Sequence, residues 1–403
     1  MKKTKYIIAF ILFVNIIFSQ TASSIANGNW LNPLTWNCTC IPTNSYNVTI
    51  NHQITLNTSM LFSSGGLTIN PGASMVQDAS LNRDLMFSGG NFINNGTANF
   101  RNLLMTAGNS TNTGSLTLVA FTNSIMPFVN SGTIQMDSML VAGNFTNSAT
   151  GVINGDSILN TASFLNNGKM NVKWGTNAST FNNFNYYTGY AYTNSGNYEN
   201  NDSIILTYSF WNKTNFNNKS NAVLNLTKSF NNKNLLGTAT FTNNGKVKIL
   251  DSWFNSDTIK GTTGSFIVSD STVNTGFLKG TFDFCDLTQT VSTAPFIDIN
   301  TGTVSSLITW CATTPIKSVK QNNNVEIYPN PTSNYINIEN INTVNCSVIS
   351  IIDVSGKIIK TVNVNPLESS IKVNLNLNDG IYFIKFLNPF GQQINTNKLI
   401  IKN

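Results

Sequence analysis

The chain has 403 residues, of which only 10% are charged, while asparagine takes about one position in six. An ordinary soluble domain carries about 25% charge, but hydrophobic residues at 41% and aromatic residues at 11% still supply a core and exclude a disordered polar tract. The net charge of +6 sits in Lys2, Lys3 and Lys5 and in a lysine excess after Lys317. The long middle is neutral, and Arg83 and Arg101 are its only arginines, which excludes a stripe that tracks nucleic-acid phosphates. One histidine, five cysteines and few carboxylates leave little material for acid–base or metal chemistry.

The first element is an export signal. Met1–Lys5 is basic, and Tyr6–Phe18 is an apolar run too short for a membrane span of ~20 residues but suited to a signal-peptide core. Ser19–Ser24 offers small residues for cleavage, so residues 1–20 are expected to be a signal peptide and the mature chain to lack a transmembrane segment. No cysteine follows the apolar run, which argues against a lipid anchor. Outside the cytoplasm cysteines meet oxidising conditions. Cys285 and Cys311 are candidates for a disulfide closing a loop of about 26 residues, worth roughly 3 kcal/mol. Cys38 and Cys40 stand too close to bridge in an extended chain, and Cys346 is left as a buried thiol.

An entry segment follows over residues 28–56. Gly28-Asn-Trp30 leads through Trp36 and Pro42 to the alternating run Val48–Leu56. This stretch resembles the entry segment of secreted bacterial β-helix proteins. Trp30 and Trp36 are suited either to stacking on sugars or to capping an open hydrophobic end. His52 falls between two strands without a metal-ligating partner.

One phrase then recurs: an apolar residue, Asn, a small polar residue and Gly. It appears as Phe92–Gly96, Ser110–Gly114, Phe128–Gly132, Phe145 onward, Phe164–Gly168, Tyr192–Gly196, Phe241–Gly245 and Thr272–Gly276. The early glycines repeat at about 18 residues and the later ones at about 25–30. Alternating runs such as Ser115-Leu-Thr-Leu and Lys246-Val-Lys-Ile lie between them and predict strands, with Asn-Gly and Ser-Gly as turns. No segment has a useful 3.6 period. The expectation is an all-β chain whose residues 21–316 form a right-handed parallel β-helix, a solenoid of stacked coils. A string of small β-sandwiches is the alternative. In a solenoid, equivalent residues sit ~4.8 Å apart on successive rungs. Stacked like charges repel there, whereas an asparagine amide both donates and accepts along the ladder. High asparagine with low charge suits that geometry.

Two features of the repeat are candidate contact sites. Tyr186, Tyr187, Tyr190 and Tyr192 fall within seven residues and could present an aromatic face to a glycan or fill the core. Asp-Ser or Asp-Thr pairs place Ser138, Ser157, Ser203, Thr258 and Ser271 in a context that resembles an O-glycosylation sequence of the same bacterial group; the alternative is that such pairs open a strand. Toward the end of the repeat, Asp283, Asp286 and Asp298 make the nearest approach to a carboxylate cluster, and Glu199 and Asp202 form an isolated pair. Polysaccharide-cleaving sites need such groups, yet no catalytic motif accompanies them. No catalytic residue, metal ligand or cofactor is assigned.

Composition shifts at the polar linker 317–324. Residues 325–403 read as about seven short strands with Ser-Gly and Asp-Gly turns, a small Ig-like β-sandwich. Tyr328-Pro329-Asn330-Pro331 opens it, Asp353, Gly356 and Lys357 mark one hairpin, Gly380 and Tyr382 mark another, and Lys398-Leu-Ile leads to the end. Four motifs in this order resemble the type A C-terminal sorting domain of the bacterial type IX secretion system. The resemblance as a whole is to a Bacteroidetes-type secreted β-helix protein. It implies passage through the periplasm, recognition by the type IX translocon and its outer-membrane shuttle, and release or display at the cell surface. The expected function is a non-catalytic, adhesin-like or structural surface protein that meets glycans or a host or cell surface. The alternative is a carbohydrate-binding or polysaccharide-degrading β-helix protein.

Overall fold

The computed structural model describes residues 20–288, 290–311, 325–341, 346–365, 369–387 and 393–402. Of the expected signal peptide only residue 20 is among them, and the expected linker 317–324 lies outside them. The chain divides into two compact units, Met1–Thr313 and Thr314–Asn403.

The first unit is a three-faced parallel β-solenoid of about thirteen turns. Every strand pairs in parallel with the strand one turn away, which rules out separate sandwiches for the body. The first face is a 15-stranded sheet. The second and third faces join into one 24-stranded sheet because four nine-residue strands bend across the corner between them. These are Ser115–Asn123, Thr133–Val141, Val152–Asn160 and Lys169–Asn177. Short alternating runs form these strands because each rung buries every second side chain and shows the others to solvent. A 3-10 turn at Pro33–Thr35 is capped by the Asn32 side chain.

Two buried asparagine columns run along the interior. At the end of the first face, Asn94, Asn112, Asn130, Asn147, Asn166, Asn183, Asn200, Asn218 and Asn243 stack amide on amide, each Nδ2 donating to the next Oδ1 at 2.7–2.9 Å. At the end of the third face, Asn160, Asn177, Asn194, Asn212, Asn232, Asn255, Asn274 and Asn300 do the same. Most of these Nδ2 groups also donate to a backbone carbonyl of the next rung, as Asn130 does to Val152. The ladder thus satisfies buried polar groups where the chain must turn. It begins abruptly. Asn94 follows Ile69 in its column, so the Asn94 Oδ1 has no amide beneath it and no partner.

The rung spacing corrects the sequence reading. Successive asparagines of the first column lie 17 to 19 residues apart as far as Asn218, then 25. The apparent lengthening arose because one phrase marks two corners. Asn194 and Asn274 belong to the third-face column, whereas Asn166 and Asn243 belong to the first.

Beside the first asparagine column runs an aromatic one. Phe128, Phe145, Phe164, Phe181, Tyr198, Phe216 and Phe241 stack with centroids 4.7–5.4 Å apart. Their buried faces supply most of the apolar contact along this side of the core. The turns are tight enough to need glycine: a Cβ on Gly132 would stand 2.1 Å from the Gly114 carbonyl oxygen of the rung below.

Both ends of the solenoid are closed. Trp30 and Trp36 are fully buried at the entry with ring centroids 4.9 Å apart, and the Trp36 Nε1 donates to the Trp30 carbonyl. Cys38 and Cys40 are bonded to each other, contrary to the expectation from an extended chain. The reason is local: Thr39 takes a left-handed φ of 48°, folding the chain back so that the two Cα atoms lie 5.1 Å apart. At the far end a second disulfide joins Cys285 and Cys311.

The second unit is an antiparallel sandwich. Glu326–Tyr328, Tyr335–Glu339 and Ser370–Asn374 form one sheet. Val348–Ile352, Ile358–Asn363, Gly380–Leu387 and Gln393–Ile401 form the other. Ile336, Ile338, Ile349, Ile351, Ile384, Phe386 and Leu399 fill the space between them, and Cys346 is a buried free thiol whose pKa burial pushes up.

Candidate functional site

With the interior filled, recognition by the body falls to its exterior columns. The corner between the second and third faces carries an ordered one: Asp137, Asp156, Lys173, Tyr190, Tyr208, Lys228, Asp251 and Asp270 occupy equivalent places on eight successive rungs. Tyr190 and Tyr208 stack at 4.7 Å with planes 6° apart. On one side Lys173 lies 3.6 Å from Asp156, and on the other Lys228 lies 3.3 Å from Asp251. Lys228 and Ser252 hold the Asp251 carboxyl below the usual carboxylate range, with the Ser252 hydrogen bond the larger cause. In the order acid, acid, base, aromatic, aromatic, base, acid, acid, each lysine neighbours one aspartate, while at both ends two aspartates occupy adjacent rungs, where like charges repel. Exposed Trp174 packs edge-on against Tyr190 at 4.7 Å.

The four clustered tyrosines do not form one face. Tyr187 and Tyr192 point inward and are buried, which corrects their assignment as glycan contacts. Strand alternation sends them to the core side, and glycine makes the room. A Cβ on Gly175 would lie 2.2 Å from the Tyr192 ring and 2.6 Å from the Tyr187 hydroxyl. The Tyr187 hydroxyl donates to the Val172 carbonyl, while those of Tyr192 and Tyr198 have no partner. Burial raises all three phenol pKa values. Of the original four, Tyr186 and Tyr190 remain at the surface. The exposed aromatic residues that sequence reasoning missed include Trp174, Tyr208 and Trp211. Their signal was register: once rungs are aligned, Tyr208 falls directly after Tyr190.

Ser138, Ser157 and Ser271 lie on one exterior column, next to the charged corner, whereas Ser203 and Thr258 lie on other faces. The Ser157 hydroxyl donates to the Asp137 carbonyl, Ser203 to Asp202, and Ser271 to Ser252. Ser138 is exposed.

The carboxylates of the last coil brace it. Asp286 accepts from the buried Thr272 hydroxyl at 2.6 Å and Asp298 accepts from the Thr272 backbone N–H at 2.9 Å. Asp283 accepts from the Thr309 hydroxyl at 2.8 Å. Glu199 pairs with Lys219 at 3.0 Å. His52 shares a hydrogen bond with the Ser24 hydroxyl. No group of three or more potential metal ligands occurs among the described residues.

In the sandwich, the motif residues tie strands together. The Asn330 side chain donates to the Lys398 carbonyl at 2.7 Å and accepts from the Ile400 N–H at 2.9 Å, clamping the last strand 68–70 residues away. Pro329 and Pro331 flank it, both after cis peptide bonds. Tyr328 donates to Glu339. Asp353 accepts from the Ser355 hydroxyl and from the N–H groups of Ser355 and Lys357, which lowers its pKa and closes the turn where Gly356 takes a φ of 87°. Lys357 is exposed on this turn. Tyr382, two residues after Gly380, donates to the Asn378 carbonyl.

A β-solenoid repeat body followed by a small clamped sandwich is the class that these observations define. Residues 326–402 match the family of secretion system C-terminal sorting domains. The tail directs export by type IX secretion, and so release from the cell or attachment to its outer surface. No curated protein and no solved structure matches the chain.

Proposed function

We propose that the protein is a non-catalytic surface repeat protein, adhesin-like, whose solenoid displays a long patterned exterior outside the cell. The observation that carries this reading is the corner column, in which eight rungs present an ordered series of charges flanking two stacked tyrosines. Such an array offers repeated, weak contacts along one axis, and linked weak contacts add to avidity. The carboxylates of the last coil support a non-catalytic role, since each accepts a hydrogen bond that holds the coil closed. The test compares attachment of cells with and without the chain to immobilised surfaces, alongside a glycan panel assayed for released reducing ends with the purified protein. Loss of attachment without product release is expected. Product release that disappears on replacing Asp283, Asp286 and Asp298 would overturn the reading in favour of a polysaccharide-cleaving enzyme.

A carbohydrate-binding role is the second reading, favoured by Trp174, Tyr190 and Tyr208, because exposed aromatic residues stack on pyranose faces.

A further inference from the structure

The third face carries a groove that differs from the rest of the solenoid. Its floor is Trp211, 42% exposed and flanked on the next strand back by Thr193. Its rim is a pair of lysines. Lys213 and Lys233 occupy the same place on adjacent rungs, since Asn212 pairs with Asn232 and the Lys233 N–H donates to the Asn212 carbonyl. Its wall is the turn after Lys233, which swells outward and carries Leu235 and Leu236 at 82% and 101% exposure. The groove is open to solvent along one side and holds about 590 Å³, within the range of small-molecule sites, ~300–1,000 Å³.

The wall is anchored. The Asn234 side chain donates to the Lys213 carbonyl at 2.6 Å, its oxygen accepts from the Leu236 N–H at 3.0 Å, and its backbone N–H donates to Asp257 at 2.7 Å. Fixing two leucines in solvent costs free energy unless something covers them.

Charge selects the occupant. Of the lysines nearby, Lys173, Lys219 and Lys228 each sit within 4 Å of a carboxylate, whereas Lys246 and Lys248 on the next rung form no ion pair with a described residue but lie on the second face, away from the groove. Neither Lys213 nor Lys233 forms an ion pair with a described residue, and Lys233 instead lies 5.6 Å from the centroid of the Phe254 ring. Asp257, on the next rung, accepts from the Asn234 backbone N–H. The two lysines spring from positions one strand spacing apart, so an anion held between their ammonium groups would offset the repulsion of bringing them together.

We propose that this groove binds an acidic polysaccharide. A sugar ring stacks on Trp211, a carboxylate on that ring or its neighbour meets Lys213 and Lys233, and Thr193 and Asn234 face the hydroxyls. The inference deepens the adhesin-like reading by giving it a ligand class, and its test is independent of cell attachment.

The purified chain is titrated calorimetrically with polygalacturonate, with dextran as the neutral polymer and polyglutamate as the anionic polymer without sugar rings. Polygalacturonate is expected to bind, and Trp211→Ala and the double variant Lys213→Gln/Lys233→Gln are each expected to weaken binding at least about tenfold. The double variant Lys246→Gln/Lys248→Gln removes the same charge from exposed positions on the second face and is expected to bind like the parent. All substituted side chains reach the surface, so unchanged melting curves identify folded variants. Absence of polygalacturonate binding overturns the proposal, as does binding that neither groove variant weakens. Equal binding of dextran removes the role of charge, and equal binding of polyglutamate removes that of the sugar; either result overturns it too. Release of reducing ends during the titration refutes the non-catalytic reading and leaves the groove assignment standing.

Discussion

Asn147 and Asn144 belong to the same rung, three residues apart, and the ladder predicts opposite consequences for the same substitution. The Asn147 side chain is fully buried. Its Nδ2 donates to the Asn166 Oδ1 at 2.8 Å and to the Gly151 and Lys169 carbonyls at 3.2 and 3.3 Å, and its Oδ1 accepts from Asn130 at 2.8 Å. In Asn147→Ala the Asn166 Oδ1 loses its donor from the rung below. The Asn130 amide keeps only its longer bonds to the Gly132 and Val152 carbonyls. A buried polar group left without its partner costs about 1–3 kcal/mol. One full loss and one partial loss therefore come to about 2–4 kcal/mol. Asn144 points its side chain to solvent, so Asn144→Ala is expected to change stability by less than about 0.5 kcal/mol. A solenoid opens locally, because each rung contacts mainly its neighbours. Native-state hydrogen exchange is thus the informative assay: amides of the strands Phe128–Asn130, Phe145–Asn147 and Ser163–Asn166 are expected to exchange roughly 30- to 1,000-fold faster in Asn147→Ala. Equal protection in the two variants would refute the idea that the amide column holds the rungs in register.

Four further outcomes follow from particular contacts. Replacing Cys285 and Cys311 by serine is expected to lower stability by about 3 kcal/mol, as for a closed loop of this size, and to admit protease first at the last coil. Tyr198→Phe removes a buried hydroxyl that has no partner from a column of phenylalanines, so its melting temperature is expected to equal or exceed that of the parent. Gly175→Val, which drives a side chain into the Tyr187 and Tyr192 rings, is expected to lower it by the equivalent of at least about 1–3 kcal/mol. The Arg83 guanidinium, helped by Ser80, holds the Asp78 carboxyl at about 2 against an ordinary 3.8. Because the folded value is depressed, its contribution is present above pH 3.8 and lost as pH falls toward 2; the Asp78–Arg83 turn should keep its amide shifts at pH 4 and lose them only in stronger acid.

Much of the architecture was legible because every rung states it again. Alternating strands, an apolar residue before Asn, and glycine after the turn recur in the chain, and each has a local physical cause: pleating, amide pairing, and a carbonyl too close for a Cβ. The sorting tail was legible for a related reason at Asp353 and Gly356, which act within one short turn whose chemistry is visible in a few consecutive residues, whereas the partners of Asn330 lie 68–70 residues away. What escaped the sequence was the assignment of repeats to corners. Asn166 and Asn194 carry the same phrase and belong to different columns, so intervals measured between phrases mixed two ladders. The same gap misplaced the tyrosines. Tyr190 and Tyr192 are two residues apart on paper, yet the strand carrying Tyr192 begins after the corner that turns Tyr190 outward.

The chain alone therefore pointed to a coil with stacked amides and an exported tail, because those properties follow from chemistry repeated within a few residues. The tertiary structure decided what its surface offers. Lys213 meets Lys233, and Tyr190 meets Tyr208, only because the corners between them absorb a definite number of residues, and the rungs then bring side chains about twenty positions apart to within one strand spacing.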